Sequence, residues 1–522
     1  MDAITAATAG SALRSAAARF GAAPALVATG AGGDRRRWSF SQLLGDTEAA
    51  ARGLLERFSP GERMAIWAPN VAECYLAHLA CGLAGLVAVP VPTGLTPGEL
   101  RAILSRAGAA GIAHVAAFRG VDMAGAVAAV APQLPSLREV VDLSAWDALV
   151  SAAPCSAALP EVAPGSPVLI PFSSGTTGAP KGVVLHHNGV MNASRLAAER
   201  AEVGSGDRWL NFMPLSYGAG CALFVPGALQ AGACHILADF EPAAVLGLAE
   251  AEAASVLMCG ATMARMIAGQ PGAAASLKTL SNLAFGGAPA PVELCRRLEA
   301  EWRVTITTQY GLTESGGVVT QTRPSDPDQA RLATVGDPLP GLEVAIIEPG
   351  SSRHLEAGDE GEICVRGYQV MSGYLDDPQA TARAIDPGGW LHTGDLGRFD
   401  ATGRLRIAGR LKDIVNRGGR KLHPGEIEQV LTAHPAVAAA AVAPLPDPHW
   451  GEIAAAFVIP ATGTPPSQDE LVAWCRHHLA PYKTPERWIF LDQFPLTRSG
   501  KVQKHQLIHA YLNGQPEEEP FS

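Results

Sequence analysis

The sequence predicts an α/β protein with a large N-terminal domain, a β-rich subdomain after it, and a small α+β domain at the C-terminal end. Three observations carry this. Short β-branched runs alternate with Ala/Leu-rich helical patterns through most of the chain. After about Gly336 the texture changes to short strands between glycine-rich turns. The final stretch, about 110 residues and so of ordinary domain size, mixes two helices with two strand-like runs.

The elements follow in order. "RMAIWAP" from Arg63 reads as a strand ending at a turn, "VAECYLAHLACGLAGL" from Val71 has helical apolar spacing, and "VAVPV" from Val87 reads as the next strand. Strand, helix and strand at this spacing make a βαβ unit with parallel pairing. The pattern recurs at "SVLMCG" and "TLSNLAFGG", and "VLIPFSSG" reads as a buried strand running into a loop. "GLEVAIIEP", "GEICVRG" and "GRLRIAGR" are the short strands of the β-subdomain. "GRLKDIVNRGGRKL" is polar, basic and glycine-rich, which reads as a hinge or linker. Beyond it, "PGEIEQVLTAHPAV" is helical, "AAAAVAPL" and "AAAFVIP" are strand-like, and "SQDELVAWCRHHLA" is a helix with Ser467 at its N-cap. The expected divisions are 1–409, a hinge at 410–413, and 414–522.

Composition narrows the function classes. The chain has 522 residues, is 48% hydrophobic and carries a formal charge of -10. A net acidic chain is a poor partner for nucleic acid or an anionic membrane, although a local basic pocket for a small anion is compatible with it. "PEEEPFS" at the end reads as a solvated acidic tail. The nine cysteines are scattered without a Cys-x-x-Cys pair, which fits a reduced, intracellular enzyme. Cys74, Cys81, Cys259 and Cys364 sit in apolar runs and are expected to be buried. The first twenty residues lack the apolar core of a secretory signal, and no apolar run of about 20 residues predicts a membrane span. The expected location is the cytoplasm.

"SSGTTGAPKG", Ser173 to Gly182, is the most chemically suggestive stretch. Its glycines allow positive φ and close backbone approach, its hydroxyls are donors, and Lys181 adds a cation. It matches neither G-x-x-x-x-G-K-[ST] nor G-x-G-x-x-G. Alone, it reads equally as a phosphate cradle or as a mobile surface loop.

Four further motifs follow it: "QYGLTE" (Gln309 to Glu314), "HTGDLGRF" (His392 to Phe399), "GRLKD" (Gly409 to Asp413) and "PLTRSGK" (Pro495 to Lys501). In this order and spacing they resemble the adenylate-forming ligase superfamily, which contains acyl- and aryl-CoA synthetases, adenylation domains and luciferases. The resemblance spans nearly the whole chain. It implies layered α/β sheets with a β-subdomain and a small mobile C-terminal lid. It also implies two steps: a carboxylate attacks the α-phosphate of ATP to give acyl-AMP and pyrophosphate, then a thiol takes the acyl group and AMP leaves. ATP/AMP, Mg²⁺ and CoA are the implied cofactors and cosubstrates.

Site roles carry over residue by residue. Ser173, Ser174, Gly175, Thr176, Thr177, Gly178 and Lys181 match the loop over the β- and γ-phosphates, with Thr176 and Glu314 at the metal. Tyr310, within Gln309, Tyr310 and Gly311, matches the aromatic against adenine, and Gly286, Gly287, Ala288 and Pro289 match the opposite wall. Thr313 matches the α-phosphate contact, Asp395 the acceptor of both ribose hydroxyls, and Arg410 a neighbouring ribose or phosphate contact. Lys501 matches the lysine that enters during adenylation and Lys412 the domain pivot. Gly418 and Gly419 match the stretch facing the thiol tunnel, with Arg417, Arg420 and Lys421 as candidates for the anionic part of CoA. Without the resemblance, Glu314 reads as a helix cap, Asp395 as a turn residue and Lys501 as a surface lysine. His186 and His187 read as helix-start structure.

"MPLSYGAGCALF" (Met213 to Phe224) matches the stretch that shapes the acyl pocket. Tyr217 stands where many acyl-CoA synthetases have histidine, and no aspartate lies between Leu210 and Leu237 to pair an amino acid's ammonium. Small residues in the matching segments, Gly218, Gly260, Gly286, Gly287 and Gly316 among them, imply room for a bulky apolar acid, cyclic or aromatic first and medium-chain fatty second. Transfer to a separate carrier protein, or a chain running only one half-reaction, is the alternative. A homodimer is compatible with the pattern.

Overall fold

The computed structural model describes residues 4–151, 158–173, 180–288, 290–461, 465–496 and 502–514. Two large sheets make up the N-terminal part. One is nine-stranded, and at its centre Arg208–Asn211, Val256–Cys259, Asn282–Phe285 and Thr305–Leu312 run parallel in that order. The other is eight-stranded and contains the expected βαβ unit: Arg63–Trp67, helix Ala72–Ala84, then Val87–Pro90, with Met64 opposite Ala88.

Helix Ala72–Ala84 explains the layering. Every one of its residues is buried, and a helix apolar on all sides must be covered on all sides. It packs on Arg63–Trp67 and Val87–Pro90 of one sheet and on Pro24–Thr29 of the other, so it is sandwiched between them. The eight cysteines among the described residues are all free and buried, including Cys74 and Cys81 on this helix. Among the described residues, no helix is long and apolar enough to cross a membrane.

"VLIPFSSG" is two strands rather than one. Pro167–Leu169 and Phe172–Ser173 are separated at Pro171, which has no N–H to donate to a ladder. Both pair antiparallel with Lys181–His186. The four-stranded sheet of the β-subdomain has the order Leu342–Ile347, Gly361–Gly367, Leu391–Phe399, Leu405–Arg410.

The stretch read as a linker contains more structure than that. The chain leaves the β-subdomain at Arg410, turns through a short 3₁₀ segment at Leu411–Asp413, and enters a hairpin of Val415–Arg417 with Arg420–Leu422. Its two-residue loop, Gly418 and Gly419, has φ of 53° and 84°. Positive φ at both positions suits the right-handed twist of the flanking strands, so a glycine pair here specifies a hairpin, not slack chain. The C-terminal sheet is completed by Val437–Asp447, Gly451–Pro460 and Arg487–Phe490, and Ser467 caps helix Gln468–His478 by accepting the Glu470 N–H at 3.2 Å. The C-terminal part touches the large sheet region through Arg265, whose guanidinium donates to the Ala438 carbonyl at 3.1 Å, and the β-subdomain through His423, 3.1 Å from Glu360.

Candidate active site

The site is placed by the central parallel strands. Ligands of open α/β sheets bind beyond the carboxyl ends of the strands. Here those ends lead to Met213–Tyr217, Gly260, Gly286–Gly287 and Thr313–Glu314. Four sequence motifs widely separated in the chain thus emerge on one edge.

Ser173 pairs with Lys181 across the antiparallel ladder. The glycine-rich loop therefore has both its ends pinned, while Ser174, Gly175, Thr176, Thr177 and Gly178 lie outside the described residues. Glu314, on a single 3₁₀ turn Thr313–Ser315, meets this ladder directly: the Ser173 hydroxyl donates to its Oε1 at 3.1 Å. The Tyr374 hydroxyl donates to the same oxygen at 3.1 Å, and the Lys181 ammonium lies over the Tyr374 ring, 4.8 Å from its centroid. Burial, then the Glu314 charge, pushes the Tyr374 phenol above its ordinary range. A cleft of about 290 Å³ opens beside the group, lined by Arg106, Phe172, Lys181 and Tyr374 among others. Tyr374 was missed in the sequence. Its signal was "SGYLDDP", a glycine-tyrosine step whose strand pairing with Val183 and Val184 is visible only in the fold.

The donor set at Glu314 fits a magnesium ion. Both hydroxyls engage Oε1, and among the described residues no donor or cation engages Oε2. A carboxylate oxygen is a hard ligand of the kind Mg²⁺ takes beside phosphates. Thr176, the second metal candidate, is outside the described residues.

Asp395 is 6% exposed and held from both sides. The Tyr310 hydroxyl donates to Oδ2 at 2.8 Å and the Arg410 Nε lies 2.9 Å from Oδ1. Burial, followed by the Asp395 charge, raises the Tyr310 phenol well above its ordinary range, so it remains a donor. The turn before Asp395 is fixed by Glu362, which accepts the Gly394 N–H at 2.9 Å and sits 2.8 Å from His392 Nδ1. Glu362, Cys364 and His392 have ligand-type atoms within 4.8 Å of one another. Burial pushes the Cys364 thiol up, and hydrogen bonds through His392 Nδ1 link the three side chains.

The glycines divide into two kinds. A Cβ on Gly286 would lie 2.8 Å from Gln309 Nε2, one on Gly311 would overlap the Gly317 carbonyl, and one on Gly316 would lie 2.5 Å from the Gln369 carbonyl oxygen. At these positions the missing side chain is already replaced by neighbouring atoms, so the spare volume expected at Gly286 and Gly316 is absent. Gly287 has a φ of 81° and is a conformational requirement. By contrast, nothing lies within 4 Å of a Cβ on Gly260, and a Cβ on Gly218 would make ordinary contact with Thr313 at 3.7 Å. Gly218 therefore brings the acyl stretch beside the α-phosphate candidate. Ala219–Phe224 forms a π-helix, an uncommon element that the apolar spacing did not signal, and Tyr217 sits just before it. Ala288 is exposed and Pro289 is outside the described residues.

Lys501 also lies outside the described residues; Leu496 and Val502 on either side of its loop are bridged. Lys412 is exposed on the 3₁₀ turn. At the Gly418–Gly419 loop, the Arg417 guanidinium is ion-paired with Glu486 and stacked 4.2 Å from the Trp450 ring, while Arg420 lies over Tyr482. His186 accepts the Gly189 N–H as a helix cap, and buried His187 accepts the Ala9 N–H at 3.1 Å, so both are structural.

Residues 13–375 match the AMP-binding enzyme family, and residues 426–501 match the AMP-binding enzyme C-terminal domain. The chain is 37% identical over 491 residues to the (7a-methyl-1,5-dioxo-octahydro-1H-inden-4-yl)propanoyl:CoA ligase of Mycobacterium tuberculosis, covering 90% of this chain and 94% of that one. It is 34% identical over 458 residues to a feruloyl-CoA synthase from an Amycolatopsis species, covering 86% and 88%. The ATP-bound structure of MatB from Rhodopseudomonas palustris superposes with a TM-score of 0.87 at 25% identity, covering 97% of this chain and 99% of that one.

Proposed function

The chain belongs to the AMP-binding enzyme family, the adenylate-forming superfamily, and from that premise we propose which acid it takes and how its residues divide the work. It is an AMP-forming acyl-CoA ligase: ATP activates a carboxylic acid as acyl-AMP, and CoA then takes the acyl group.

The acid we propose is bulky and apolar, with a ring system in the acyl body. Gly260 carries this reading. It ends a central strand at the edge where the motifs meet, and its side-chain direction is open. Gly218 continues the open surface toward Thr313. The names of the two relatives, an indenyl propanoyl ligase and a feruloyl synthase, are consistent with ring-bearing acids.

In adenylation, an acid oxygen attacks the α-phosphorus, and the bond to the bridging oxygen breaks as pyrophosphate leaves. Thr313, facing the bare Cβ direction of Gly218, would set the carboxylate against the α-phosphate. Tyr310 would flank adenine, while Asp395, steadied by Tyr310 and Arg410, would accept the ribose hydroxyls with its remaining lone pairs. Ser173, Thr176 and Lys181 would hold the β- and γ-phosphates. Glu314 and Thr176 would hold Mg²⁺, which supplies charge neutralisation on the phosphates. Lys501 would stabilise the negative charge gathering between carboxylate and α-phosphate. In the second step the CoA sulfur attacks the acyl carbon and AMP departs, with Gly418 and Gly419 lining the thiol path and Lys412 at the pivot between 1–409 and 414–522. Free, buried cysteines and the absence of a long apolar helix among the described residues support a cytoplasmic setting, and sedimentation would decide between monomer and homodimer.

The test is pyrophosphate release over a panel of acids, with and without CoA, followed by mass spectrometry of the product. Ring-bearing acids should lead the panel and yield the CoA thioester. Preference for acetate, or acyl transfer only to a carrier protein, would overturn the proposal.

A further inference from the structure

We propose that Tyr374 is a positioning residue that keeps the magnesium carboxylate and the phosphate lysine apart, each ready for its own ligand. The proposal rests on the roles given above to Glu314 and Lys181.

The backbone places this tyrosine firmly. Tyr374 is paired with Val183 and Gly373 with Val184, on the strand that begins at Lys181. The Tyr374 N–H donates to Thr381 Oγ1 at 2.9 Å, and the Leu375 N–H donates to the Gly182 carbonyl at 2.8 Å. Gly373 has a φ of 146°, and a Cβ there would lie 2.9 Å from the Thr381 side chain, so the strand sits tightly over helix Pro378–Ala384.

The side chain then meets two opposite charges in two different ways. Its hydroxyl donates to Glu314 Oε1, and its ring face receives the Lys181 ammonium at 4.8 Å. Left unrestrained, an ammonium and a carboxylate that share one tyrosine would attract each other. Lys181 would then be lost to phosphate and Glu314 to the metal. The ring offers the ammonium a weaker, replaceable partner, because its quadrupole attracts a cation without cancelling its charge. The hydroxyl, sharing Oε1 with Ser173, orients the carboxylate so that Oε2 is presented. Among the described residues, Lys181 makes no ion pair with any carboxylate, in agreement with this arrangement.

The experiment measures the binding of ATP to the full-length enzyme by calorimetry, with Mg²⁺ and with the metal chelated. The ratio of the two affinities reports how well the site uses the ion. Tyr374→Phe keeps the ring and loses the hydroxyl, so the ratio should fall about tenfold while metal-free affinity holds. Tyr374→Leu loses the ring as well, and metal-free ATP should also weaken about threefold or more. Glu314→Gln should reproduce the fall in the ratio. A wild-type ratio in Tyr374→Phe with a lowered one in Glu314→Gln overturns the tyrosine's role alone. A wild-type ratio in both overturns the magnesium role of Glu314 and this proposal with it. Parallel loss of both affinities in Tyr374→Phe, with a lowered Tm, would reduce Tyr374 to a structural residue and overturn the proposal.

Discussion

Replacing Gly260 by valine should cost large acids activity and spare small ones. Gly260 has φ of -85° and ψ of 154°, ordinary extended backbone that valine adopts without strain. Nothing lies within 4 Å of its Cβ direction, so three added carbons enter open space and displace substrate rather than protein. Gly260 is also the N-cap of helix Ala261–Ala268 and makes no side-chain cap bond. Valine is a poor cap, and the stability cost there is about 1 kcal/mol. Overfilling a packed apolar site costs about 1–3 kcal/mol, or roughly 5- to 150-fold in an equilibrium constant. Ring-bearing acids should therefore lose kcat/KM by such a factor, acetate and propionate should be spared, and ATP affinity should hold. The assay is a kcat/KM series over acid size for wild type and variant, with ATP affinity measured separately. Uniform loss across the series, or loss confined to ATP, would show that the open direction at Gly260 is not the acyl site.

Gly316→Ala is the contrasting case: with φ of 71° and the Gln369 carbonyl 2.5 Å from the new carbon, it should lower Tm and act alike on every acid, which thermal unfolding beside the same kinetic series will show. Lys501→Ala should slow acyl-AMP formation by roughly 10²-fold or more, the scale of losing one transition-state donor, while supplied acyl-AMP still passes to CoA; equal loss in both half-reactions would remove its step-specific role. His78, buried with neither ring nitrogen bonded, has its pKa pushed down to about 4 by burial. A neutral histidine held this way contributes stability that is complete above the unfolded value near 6.5 and is lost as pH falls toward 4, so going from pH 7 to pH 5 should cost about 2 kcal/mol. His78→Leu should flatten the pH dependence of urea unfolding by about that amount, and an unchanged slope would refute the burial argument.

What the sequence made legible was local pattern. Strand, helix and strand from Arg63 to Pro90 could be read because the apolar period changes from one element to the next, and the Ser467 cap because a hydroxyl precedes a helical run. The motifs located Ser173, Lys181, Glu314, Tyr310 and Asp395, and the fold brings them together in two hydrogen-bonded groups. Features that depend on pairing across the chain were not legible. Tyr374 reaches Glu314 only because its strand docks beside Lys181–His186. Whether a glycine means space or contact depends on what lies opposite: Gly260 faces a void and Gly316 a carbonyl, and the one-letter code is the same. The stretch holding "NRGGRKL" reads as a hinge or linker because glycine pairs mark both linkers and tight hairpins, and only the flanking strands distinguish them.

The acid's own carboxylate attacks the α-phosphate of ATP before the thiol acts. Oxygen-18 in both carboxylate positions of the best acid in the panel tests it most directly, with AMP and thioester analysed by mass spectrometry after one turnover. One labelled oxygen should appear in the AMP phosphate, one in the thioester carbonyl, and none in pyrophosphate. Unlabelled AMP, or ADP as the nucleotide product, would contradict it.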